Sequence, residues 1–64
     1  MAMCIAVESV EKGDRIEVWY GDSAIGVVVR AITEGVTIRT LQVCSEDASF
    51  ELSVQRGHTV NLLC

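Results

Sequence analysis

Proline is absent from the 64 residues, and no Gly/Ser-rich stretch, internal repeat or low-complexity segment replaces it. That excludes a flexible or stiff linker and leaves room for one domain, spanning 1–64. Basic residues are few: Lys12, Arg15, Arg30, Arg39 and Arg56 stand singly against nine acidic residues, for a net charge of −4. A groove that neutralises phosphates needs clustered cations, so nucleic acid is not an expected partner. One Trp, one Tyr and one Phe are too few for a row of stacking platforms.

Cysteine is scarce and odd in number, with Cys4, Cys44 and Cys64 far apart. Three such residues make neither a self-contained disulfide framework nor the two-to-four-residue spacing of a zinc knuckle, and His58 is the single histidine. Pairing Cys44 or Cys64 with His58 as nucleophile and base lacks an orienting third group. The glycines build no phosphate-binding loop, since neither a Gly-Lys-Ser/Thr ending nor a G-x-G-x-x-G run occurs. No catalytic activity, cofactor or metal is therefore expected. No apolar run approaches the ~20 residues of a membrane span. The apolar opening Met1–Val7 has no basic flank and stops at Glu8, short for a secretory segment. Together with the unpaired cysteines, this predicts a cytoplasmic protein away from membranes.

What the sequence does have is aliphatic bulk: half of its residues are apolar and the mean hydropathy is +0.39. A chain this short has too little interior to hide that much, so contact with copies of itself or with another protein is expected.

Turn signals at Gly13-Asp14, Gly21-Asp22-Ser23, Thr33-Glu34-Gly35, Ser45-Glu46-Asp47 and Arg56-Gly57 punctuate the chain at short intervals. Between them, β-branched residues alternate with polar ones. Ile16, Val18 and Tyr20 share one phase and Arg15, Glu17 and Trp19 the other, while Phe50, Leu52 and Val54 alternate with Glu51, Ser53 and Gln55. The pattern predicts strands at 3–10, 14–20, 25–32, 36–44, 49–54 and 59–63, with at most one helical turn, placed at 55–58. Val36 and Ile38 fall out of phase with Leu41 and Val43, which predicts a β-bulge near Arg39 and Thr40. Gly35 suits a left-handed position in a three-residue hairpin. The expected fold is all-β, a small antiparallel barrel of five to six short strands, SH3-like or OB-like, without substantial helix.

The segment Met3-Cys4-Ile5-Ala6-Val7 resembles the start of the hydrogenase-maturation chaperones, small barrel proteins with a functional cysteine after the initiator methionine. The resemblance covers five residues. Ala2 and Met3 intervene, no proline follows, and no C-terminal helix is predicted, so the family's role is not carried onto Cys4.

These readings make the chain a protein-interaction module that associates with itself. Pairing the 14–20 and 25–32 strands with residue numbers summing to 47 opposes Glu17 to Arg30, Trp19 to Val28 and Arg15 to Ile32. The alternative sum of 45 sets Arg15 against Arg30 and is disfavoured by like charge. The first register makes Trp19, Val28 and Ile32 an outer apolar patch and the expected interface. The alternative function is a small-molecule or nucleotide site at a subunit boundary, with Arg30 or Arg39 meeting an anion and Trp19 or Tyr20 stacking on a ring.

Overall fold

The alternating segments pair as the period-two pattern requires, and the computed structural model, described here over residues 2–63, contains six antiparallel strands in one sheet. They are β1 (Ala2–Ala6), β2 (Arg15–Tyr20), β3 (Ser23–Glu34), β4 (Ile38–Cys44), β5 (Ser49–Gln55) and β6 (Thr59–Leu63). The order across the sheet is β1-β6-β2-β3-β4-β5, so β1 and β5 are its edges. These two strands do not pair with each other, and the sheet is open rather than a closed barrel. Among the described residues helix is limited to one 3-10 turn, Val7–Ser9.

That turn replaces the second half of the strand expected at 3–10, and it falls at Val7–Ser9 rather than at 55–58. In 3-10 geometry residues i and i+3 eclipse, so Val7 and Val10 point the same way while Glu8 and Ser9 stay in water. Continued as a strand, the segment would send Val7 and Val10 to opposite faces. The turn is tied to the loop before β6 by the Val7 amide donating to the His58 carbonyl at 2.9 Å, and by the Gly57 amide donating to the Glu8 carboxylate at 3.1 Å.

One face of the sheet carries the core: Val7, Val10, Ile16, Val18, Val27, Val29, Leu41 and Val43 are buried. Ile5, Ile25, Ile32, Phe50, Leu52, Val54, Val60 and Leu62 pack around them.

Three further expectations are corrected. The β2 to β3 register sums to 43, pairing Arg15 with Val28, Glu17 with Gly26 and Trp19 with Ala24. The reason is the turn: Tyr20 pairs with Ser23 across a two-residue loop, Gly21-Asp22, whose first residue has φ +68. Positive φ at the first central position is the demand of a tight hairpin turn with glycine in that place.

The second correction concerns the bulge. It lies in β3 at Arg30, between the pairs Val29 to Val43 and Ala31 to Gln42, and β4 runs in unbroken register through Arg39 and Thr40. Alternation in β4 holds because Arg39 itself takes a core-facing position beside Leu41 and Val43, leaving Ile38 outside.

Gly35, thirdly, does not adopt a left-handed conformation. Its requirement is space, since a Cβ there would stand 2.7 Å from the Ile38 carbonyl oxygen.

Candidate interaction surface

The residues expected to form an interface separate in the fold. Trp19 and Val28 lie on the face opposite the core, Trp19 being 73% exposed and Val28 partly covered. Ile32 does not join them. The bulge at Arg30 shifts the phase of β3, so Ile32 pairs with buried Leu41 and packs against the core. Glu17 and Arg30, expected to oppose one another, are also apart: Glu17 accepts a 3.3 Å hydrogen bond from the Asn61 amide. Arg30 projects from the bulge with its guanidinium 3.9 Å from the Cys44 sulfur.

Between Trp19 and Val28 this outer face is flattened by Gly26. A Cβ there would meet the side chain of Leu63 at 3.0 Å and that of Arg15 at 3.6 Å, so these two side chains already lie across the glycine. The result is a mixed surface of Trp19, Val28, Leu63 and the guanidinium of Arg15.

Of the residues expected to meet a ligand, Arg39 is fully engaged within the chain. Its Nη1 donates to the Val7 and Val10 carbonyls at 2.6 and 2.7 Å, and its Nε donates to Glu34 at 2.9 Å. Glu34 also takes a 2.8 Å ion pair from Arg56, whose Nε donates to the Gly35 carbonyl. The hydrogen bond from Arg39 holds the Glu34 carboxyl below the usual glutamate range, outweighing partial desolvation; the charge of Arg39 and the bond and charge of Arg56 add to it. This cluster fastens the Val7–Val10 turn and the β3 to β4 hairpin to each other.

Tyr20 and Arg30 line different cavities that share Phe50. The Tyr20 and Phe50 rings contact with centroids 5.6 Å apart at 31°. Phe50, packed against the core, thus also forms the wall between two surface hollows. The loop that completes the first hollow, Ser45 to Ala48, was legible only as a turn. Its amide at Ser45 donates to the Ala48 carbonyl at 2.8 Å, which closes the turn and leaves Glu46 and Asp47 at the tip.

Among the described residues no three His, Cys, Asp or Glu side chains converge as a metal site. Cys4 is exposed and Cys44 half-buried; Cys64 lies outside the described residues. Among the described residues no helix is long and apolar enough to cross a membrane. No protein-family model matches the chain, and no curated protein or solved structure matches it.

Proposed function

We propose that the protein is a small interaction module, without catalytic activity of its own, that assembles with copies of itself in the cytoplasm. The observation that carries this reading is the state of the two sheet edges. β1 (Ala-Met-Cys-Ile-Ala) holds no charge and no proline, and β5 holds one charge, Glu51. An unpaired strand offers a row of free N–H and C=O groups to any other chain, and edges that stay single are normally blunted by lysine, proline or a bulge. Neither edge here has such protection. Met3, more than half exposed beside β6, adds apolar area at the β1 edge.

The outer surface around Trp19 and Val28 is the second element of the proposed contact, with the composition typical of an interface centre. The barrel type belongs to the proposal as well: six short antiparallel strands, the bulge in β3, and Leu52 of β5 lining one hollow with Val18 and Val60 support an SH3-like or OB-like arrangement.

Native mass measurement tests the reading. A mass above the 7.0 kDa of one chain is expected. It should fall to that of one chain in Cys4→Lys, which puts a charge on the β1 edge, or in Trp19→Ala with Val28→Glu. A wild-type protein that stays at 7.0 kDa at all concentrations would exclude self-assembly.

A further inference from the structure

A cavity of about 350 Å³ opens at the start of β5, where Tyr20, Ile25 and Phe50 form apolar walls and the 45–48 turn forms the rim. The Tyr20 ring rests against Phe50 and is otherwise 60% exposed, so an aromatic face is open to a ligand. Glu46 and Asp47 stand on the rim, and no Lys, Arg or His is among the lining residues. Neither rim carboxylate belongs to an ion pair among the described residues, whereas Arg39 and Arg56 are both spent on Glu34.

The two features select the same ligand chemistry. An aromatic face attracts a cation through its quadrupole, and two uncompensated carboxylates in a chain of net charge −4 attract it through space. A flat, weakly hydrated guanidinium on an aliphatic stem satisfies both, with its stem on Ile25 and its head between ring and carboxylate. The hollow also lies where β5 begins, and the far edge of β5 has no partner strand. An extended segment therefore has a main-chain template beside the pocket, which favours a polypeptide over a free amine.

We propose that this pocket receives an arginine side chain presented by an extended segment of a partner protein, an inference that rests on the chain being an interaction module. The charged pocket supplies selectivity and the β5 edge supplies backbone pairing.

The test is a ¹⁵N chemical-shift titration with the capped tripeptide Gly-Arg-Gly and its neutral citrulline counterpart. The arginine peptide should give saturable shifts confined to Tyr20, Ile25 and residues 45–50. The citrulline peptide should bind at least about tenfold more weakly, as the loss of one charge-assisted contact implies. The double change Glu46→Gln and Asp47→Asn, both at exposed turn positions, should weaken the arginine peptide to a similar degree while leaving the spectrum of a folded protein. Tyr20→Ala should do the same. Equal binding of the two peptides, shifts centred elsewhere, or insensitivity to the rim substitutions would overturn the assignment. Native mass is read separately, so a monomer that still discriminates arginine from citrulline would sink self-assembly alone, and an oligomer that does not discriminate would sink the pocket alone.

Discussion

Arg39 places its Nε 2.9 Å from the carboxylate of Glu34, its partner across the β3 to β4 hairpin, and extends the same guanidinium inward to two backbone carbonyls of the Val7–Val10 turn. A buried cation is costly unless paired and hydrogen-bonded, and here both conditions are met.

Removing that guanidinium should therefore be severe. Arg39→Met keeps the aliphatic bulk but strands two carbonyls, and a loss of about 3–5 kcal/mol is expected. A domain of this size has little more than that in total, so the far-UV circular dichroism of the variant should show a largely unfolded population at 25 °C. Arg39→Lys should rescue only in part, because one ammonium cannot serve Glu34 and both carbonyls in a planar fork. A normal denaturation midpoint for Arg39→Met would refute the anchoring role.

The depressed Glu34 pKa carries a pH signature. The proton is bound more readily by unfolded than by folded chain, so ionised Glu34 adds stability above the unfolded pKa, and that contribution disappears as pH falls through the lower folded value. Thermal midpoints measured downward from the ordinary glutamate range should fall for the wild type. Glu34→Gln should begin lower and lose less over the same acid window; parallel curves would contradict the linkage.

Two glycines should respond differently to the same substitutions. Gly21, at φ +68 with open space around it, should lose about 1–2 kcal/mol on change to Ala and less on change to Asn, which tolerates the left-handed region. Gly35 is limited by the Ile38 carbonyl instead, so Ala and Asn should be similarly harmful, at about 1–3 kcal/mol. Urea midpoints of the four variants distinguish the two causes.

Chelation should leave the thermal midpoint unchanged, since a metal-dependent fold would lose stability with its ion. Cys4→Ser, at an exposed edge position, should fall within about 0.5 kcal/mol of the wild type, and half-buried Cys44→Ser should cost about 1 kcal/mol. A large midpoint shift with EDTA would point to a bound ion.

Much of the β architecture was legible because side chains in a strand alternate whatever the strand packs against. Ile16 and Val18 in β2, and Phe50, Leu52 and Val54 in β5, declare their faces without reference to any neighbour. The hairpin register was legible too, through Gly21-Asp22: a two-residue turn with glycine first imposes the sum of 43, and counting charge pairs alone led to 47. The interface expectation failed at Ile32 for a nonlocal reason. Whether β3 gains its extra residue at Arg30 depends on how β4 must lie to bury Leu41 and Val43, which no local pattern states.

Arg39 marks the limit most clearly. By itself it reads as an exposed cation that breaks the β4 alternation, because an arginine facing a core is unfavourable on its own. Only when the chain brings Glu34 and the carbonyls of Val7 and Val10 to the same point does burial become the favourable state. The sequence by itself determined the strands from β2 to β6 and the tight turn at Gly21-Asp22, since those depend on neighbours along the chain. Tertiary structure alone decided the bulge, the buried arginine and the acidic aromatic hollow, since each is set by groups distant in sequence meeting in space.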